Sequence, residues 1–127
     1  MSWVGWGCGL RPKRWRTSPP QDCTDRSPLT LHLTFPDCWD GEHVRSADHR
    51  AHAAYSVDGR CPSSQPVPIL QVETATQYPI TGSTKDLRLA SGGWQTSHGD
   101  FLNAWDPERL RRHTELCIRA LANCTIG

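Results

Sequence analysis

The chain is short of aliphatic side chains. It has eleven Leu, four Ile, five Val and two Phe in 127 residues, and a single Met. That share lies where a chain can fail to build a core. Disorder also needs a high net charge, and 14 basic against 13 acidic residues leave only +1. A charge so near zero steers neither nucleic acid nor an anionic membrane toward the protein, so neither is an expected partner. No apolar run is long enough to span a bilayer, which excludes membrane insertion by a helix. The first twenty residues, MSWVGWGCGLRPKRWRTSPP, lack the positive start and apolar stretch of a signal peptide. There is no C-x-x-C pair, which argues against a zinc ribbon or a thioredoxin-type site. There is no G-x-S-x-G either, so a serine nucleophile on a sharp elbow is not expected.

Six Trp and six Cys stand in place of the missing aliphatics. Large aromatic burial combined with covalent cross-links is how a core-poor domain of an oxidising compartment becomes stable. The cysteines are Cys8, Cys23, Cys38, Cys61, Cys117 and Cys124. Their even number and wide spacing read as three disulfides, and six cysteines allow fifteen pairings. The favoured set joins sequence neighbours: Cys8 with Cys23, Cys38 with Cys61, Cys117 with Cys124. Six cysteines without a signal peptide leave two readings, reduced thiols or a chain that lacks its natural N-terminus, and the second is preferred.

Hydrophobic periodicity predicts a mainly β, loop-heavy, disulfide-tied domain with one C-terminal α-helix. Residues 1–28, rich in Pro, Trp and Arg, read as an irregular N-terminal arm, and residues 29–127 as the β-rich domain. Leu29 to Phe35, LTLHLTF, alternates strictly. Leu29, Leu31, Leu33 and Phe35 share one face and Thr30, His32 and Thr34 the other, which describes a half-buried strand. Val67 to Thr76 reads as a second strand, Leu87 to Ala90 as a weaker third, and Ala51 to Ser56 as a short one. Asp106 suits an N-cap and Pro107 the first helical turn. Leu110, Thr114, Cys117, Ile118 and Leu121 then share a helical face.

Four motifs carry the polar residues of interest: FPDCWDG (35–41), DHRAH (48–52), RCP (60–62) and SHGDF (97–101). Asp48, His49 and Asp100 could act as paired carboxylates or a His/Asp dyad in acid–base catalysis. His49, His52 and His98 supply imidazoles of the kind that bind a divalent metal, the one cofactor class in view. The plainer alternative is that Asp48 caps a turn and the histidines satisfy backbone groups of a loop-rich core. Trp39, Trp94 and Tyr55 border the motifs, and their rings could stack on sugars.

In this order the four motifs resemble the C-terminal half of the family catalogued as domain of unknown function nineteen-ninety-six. The likeness runs from about Cys23 to Cys124, and Ala51 and Ala104 stand where Ser and Gly are expected. The family comprises secreted proteins of fungi and actinobacteria, some joined to carbohydrate-binding modules. The resemblance therefore implies an extracellular location and a carbohydrate partner. It also implies an absent N-terminal half, since nothing in the chain matches that half's His-rich motif. The expected function is that of an uncharacterised secreted-type domain acting on or binding extracellular or cell-wall polysaccharide. The alternative is a non-catalytic structural or truncated fragment whose polar cluster only stabilises loops.

Overall fold

The computed structural model describes residues 4–12 and 14–122. Its organising element is β3 (Leu29–Thr34), the segment whose alternation is clearest. β3 lies between β1 (Val4–Cys8) and β7 (Glu73–Gln77), antiparallel to both. Val4 faces Leu33, Trp6 faces Leu31, and His32 lies between Gly5 and Ala75. Period-two alternation then puts Val4, Trp6, Cys8, Leu29, Leu31 and Leu33 on one face of this sheet.

That face is the core. Trp6 is 2 % exposed, with Leu29, Leu31 and Cys23 buried beside it. Trp6 stacks on Tyr78 with ring centroids 5.9 Å apart and meets Trp94 edge-on at 5.3 Å. Its indole N–H donates to Ser97 Oγ (3.1 Å), so the polar edge of the ring is satisfied inside the core. The tryptophans thus supply the burial that scarce aliphatics cannot.

The sheet's other face is covered in part, at Thr30, which changes the expectation of a half-buried strand there. Thr30, on the polar face, has no exposed surface, and its hydroxyl donates to the Pro28 carbonyl (3.1 Å). The cover is the segment after β1, which turns back so that Trp6 and Arg16 exchange two backbone hydrogen bonds (2.8 and 3.0 Å). This brings Pro12 and Trp15 over β1, where Gly5 and Gly7 leave room. A Cβ at Gly7 would stand 2.6 Å from Pro12 Cγ, and one at Gly5 2.8 Å from Trp15 Cβ. Within the segment expected to be an irregular arm, Val4–Cys8 is thus a strand of the central sheet and Arg16 is bridged to it at Trp6.

Two smaller sheets complete the domain. β2 (Asp22–Cys23) pairs with β8 (Gly82–Ser83). β4 (Cys38–Trp39) lies between β5 (Ala53–Ala54) and β6 (Val67–Pro68). The single strand expected over Val67 to Thr76 is split. β6 pairs with β4 and β7 with β3, and the chain crosses between them through Ile69 N–H to the Asp37 carbonyl (2.8 Å). Leu87 to Ala90 forms a turn with one bridge, Leu89 to Gly92, instead of a strand.

Two of the expected disulfides are present, Cys8–Cys23 with Cα atoms 5.5 Å apart and Cys38–Cys61 at 5.6 Å. Each closes a loop of 15 or 23 residues and stabilises the fold by about 3 kcal/mol on chain-entropy grounds. The third expected pair involves Cys124, outside the described residues. α1 (Pro107–His113) starts as its sequence demands, with the Asp106 carboxylate accepting from the Arg109 N–H (2.9 Å) and Pro107 in the first turn. A π-helical turn (Thr114–Ile118) follows. The expected core face is not built. No α1 residue is buried, and of the predicted stripe only Cys117 is, while Leu121 is 93 % exposed. No helix among the described residues is long and apolar enough to cross a membrane.

Candidate functional site

DHRAH folds as a turn that binds itself. Asp48 Oδ1 accepts from the Ser46 hydroxyl (2.7 Å) and from the N–H groups of Ala51 (2.9 Å) and Arg50 (3.0 Å). These donors, the hydroxyl foremost, hold its carboxyl well below the usual carboxylate range. His49 sits at φ 60°, a left-handed backbone that His tolerates better than most side chains. Both of its ring nitrogens lie against the Arg45 guanidinium, at 2.9 and 3.0 Å. The Ser46 N–H donates to His52 Nδ1 (3.3 Å). A strongly acidic carboxylate with its oxygen engaged three times, beside an imidazole facing a cation, is a poor proton shuttle and a good loop staple.

SHGDF has separate partners. His98 Nδ1 lies 2.7 Å from the Thr96 carbonyl. Asp100 is exposed, and the next residue, Phe101, packs its ring 6.1 Å from that of Phe35. Among the described residues, no three His, Cys, Asp or Glu side chains come together in a way that could hold a metal ion. His49, His52 and His98 thus do not form a metal centre as a trio. Among the described residues, no hydrogen bond joins the side chains of Asp48, His49 and Asp100 to one another.

The three aromatic candidates are anchored rather than presented as a platform. Trp94 packs edge-on against Trp6. The Trp39 indole donates to the His43 carbonyl (2.7 Å) and the Tyr55 hydroxyl to the Thr34 carbonyl (2.9 Å). Burial, with the charge of Asp37 adding to it, pushes the Tyr55 phenol up, so it stays protonated.

The largest concavity described lies elsewhere, on the second face of the central sheet. It is a groove of about 850 Å³ between the returning segment (Leu10, Arg11, Pro12, Trp15) and the turn at Ser56–Gly59. His32, Thr34 and Glu73 form its floor, with Gln71 alongside. The rings of Trp15 and His32 stack with centroids 4.5 Å apart and planes 22° from parallel. His32 Nε2 lies 3.9 Å from Glu73 Oε2. The register explains the grouping: Thr34 faces Glu73, and His32 lies beside Gly5, whose missing side chain admits Trp15. Sequence reasoning passed over these residues because Trp15 reaches His32 through a fold-back invisible to periodicity. The available signal was His32 on the polar face of an alternating strand, together with the Gly-x-Gly spacing in β1.

A second, smaller cavity of about 190 Å³ is lined by Leu33, Phe35, Tyr55, Ser97, His98 and Gly99, among others. It draws on Phe35 of FPDCWDG and Ser97, His98 and Gly99 of SHGDF, so two of the motifs do converge, while no residue of DHRAH lines it.

No curated protein and no solved structure gives a significant match to the chain. The family model for the domain of unknown function DUF1996 matches residues 4–105. That range corrects the expectation that the chain corresponds to a C-terminal half with its N-terminal half missing. The match includes β1 (Val4–Cys8), the edge strand of the central sheet. The chain belongs to the family of the domain of unknown function DUF1996.

Proposed function

We propose that this domain is an extracellular, non-catalytic carbohydrate-binding module that holds a stretch of polysaccharide in the groove on the second face of its central sheet. The observation that carries the reading is the stacked Trp15–His32 pair set among polar side chains in a groove of about 850 Å³. A saccharide offers hydroxyls at its rim and C–H groups on its faces. A concave site that binds it combines an aromatic surface with a few placed polar groups. Asp58, Gln71 and Glu73 supply acceptors, and Arg11 and Gln71 supply donors. Volumes of 300–1,000 Å³ are typical of ligand sites, and an open groove suits a chain better than a single ring. Two paired cystine loops accord with an oxidising, extracellular setting.

The test is affinity electrophoresis and calorimetry against soluble β-glucan, xylan, mannan and chitin oligosaccharides. At least one should bind. Gln71→Ala and Glu73→Gln, both at exposed positions, should each weaken it about five- to tenfold with an unchanged thermal midpoint. Binding that ignores both substitutions, or no binding to any of the four glycans, refutes the groove.

A further inference from the structure

The small cavity where FPDCWDG meets SHGDF is chemically unlike the groove, and the Ser97, Tyr55 and His98 side chains that line it each have a partner. Ser97 Oγ donates to the Trp94 carbonyl (2.7 Å) and accepts from the Trp6 indole (3.1 Å), so it is engaged in both senses. The Tyr55 hydroxyl donates to the Thr34 carbonyl (2.9 Å). His98 Nδ1 faces the Thr96 carbonyl at 2.7 Å, and a carbonyl only accepts. Nδ1 therefore carries the proton of the neutral ring, and Nε2 keeps its lone pair as an acceptor. Gly99 permits this placement. A Cβ there would stand 2.6 Å from Leu33 Cδ1, so any other residue would require the Leu33 side chain to move.

Val4, Leu33 and Phe35 give the space an apolar wall, and among the described residues no Asp, Glu, Lys or Arg lines it. An uncharged cavity with an apolar wall and a fixed imidazole acceptor selects a neutral ligand that has a C–H face and donates a hydroxyl. About 190 Å³ is the space of roughly six water molecules at ~30 Å³ each. That accommodates one sugar ring and not a chain of them. We infer that this cavity is a second binding site, for a single neutral pyranose ring, whose C–H face lies on Phe35 and Leu33 and one of whose hydroxyls donates to His98 Nε2. The site borders the groove only at Thr34. It does not depend on the groove being a glycan site.

The experiment is an NMR titration of the isotope-labelled full chain with glucose, N-acetylglucosamine, galactose and mannose as separate probes. At least one should move the His98 ring signals and the Ser97 and Gly99 amides along a saturable curve. The dissociation constant should fall in the millimolar range expected for so small a neutral ligand. His98→Ala should abolish the saturable shift at Ser97 and Gly99. His98→Gln, which keeps an acceptor, should restore part of it. Gln71→Ala, in the groove, should leave it unchanged. His98 is exposed, so the Trp6 indole signal should stay in place in every variant and report an intact core. No saturable shift with any of the four sugars up to ~100 mM overturns the assignment, as does a shift that survives His98→Ala at full amplitude. A loss caused by Gln71→Ala alone would place the ligand in the groove and also overturn it.

Discussion

Asp40 and Asp48 do the same work at the residue scale. Each turns one carboxylate oxygen onto the N–H groups two and three positions later, Glu42 and His43 in one case (both 2.9 Å), Arg50 and Ala51 in the other. The side chain thereby substitutes for a backbone partner in a loop without ladders. Only the charged form accepts both bonds well, so the Asp40 carboxyl is lowered from 3.8 to about 2, chiefly by the Glu42 and His43 amides. His43 is raised above its ordinary 6.5, mainly by its hydrogen bond to Asp40 at 2.9 Å. The two shifts act in opposite pH directions. The depressed Asp40 contributes above about pH 4, and its contribution is lost as pH falls toward 2. The raised His43 contributes fully below 6.5, and its contribution is lost as pH climbs through its higher folded value. The charged pair is therefore fully present between roughly pH 4 and 6.5. In an NMR pH titration the Glu42 and His43 amide shifts should follow Asp40 with a midpoint near 2. Asp40→Asn should remove that step and lower the His43 midpoint. A midpoint at the ordinary 3.8 would show that the turn does not hold the carboxylate. The polar character of these motifs was legible in the sequence, because Asp and His next to Gly and Ser mark turns. Their self-sufficiency was not, since it depends on which nearby N–H groups the backbone aims at each carboxylate.

At the scale of elements, the central sheet is a strand that the sequence announces, flanked by contacts it does not. L-T-L-H-L-T shows β3 directly, and the alternation correctly assigns Leu29, Leu31 and Leu33 to the core side. The burial of Thr30 is not readable from β3, because its cover comes from another segment. Val67 to Thr76 looks like one strand because its propensity is continuous, yet its two ends pair with different sheets. Strand breaks of this kind are set by non-local partners, which periodicity does not contain. The packing of Pro12 and Trp15 on β1 depends most on a small detail, the bare backbone at Gly5 and Gly7. Gly7→Ala would drive a methyl to 2.6 Å from Pro12 Cγ and 3.2 Å from the Trp15 ring. Overpacking of that kind costs about 1–3 kcal/mol. We expect Gly7→Ala to lower the unfolding free energy measured by denaturant titration by that amount and to displace Trp15, which would also reshape the groove wall. A variant as stable as the parent, with Trp15 fluorescence unchanged, would mean that the fold-back does not rest on these glycines.

At the scale of the whole molecule, the β-rich body and the C-terminal helix contribute unequally. The family match ends at Trp105, and α1 begins at Pro107. The helix is well capped but buries none of its own residues, and Leu116, Ile118 and Leu121 after it are exposed by 58, 46 and 93 %. An amphipathic helix draws most of its stability from packing an apolar face, so this one adds little to the body. Among the described residues, Leu70 and Trp105 line a hollow together with Leu110, and the Trp105 ring stacks on that of His113 with centroids 6.4 Å apart. The core around Trp6, both described disulfides, the groove and the small cavity all lie within residues 4–105. A chain ending at Trp105 should therefore fold, retain the Cys8–Cys23 and Cys38–Cys61 bridges, and bind saccharide like the full chain. Losing a marginal contact of under about 1 kcal/mol should lower its thermal midpoint by no more than ~4–8 °C. Calorimetry with disulfide mapping by mass spectrometry measures both quantities. Should the shortened chain be unfolded or its cysteines scrambled, the helix is part of the folding unit, and the boundary drawn at Trp105 is wrong. Should it fold but lose only saccharide binding, the helix must reach the groove, an arrangement incompatible with the groove walls described above.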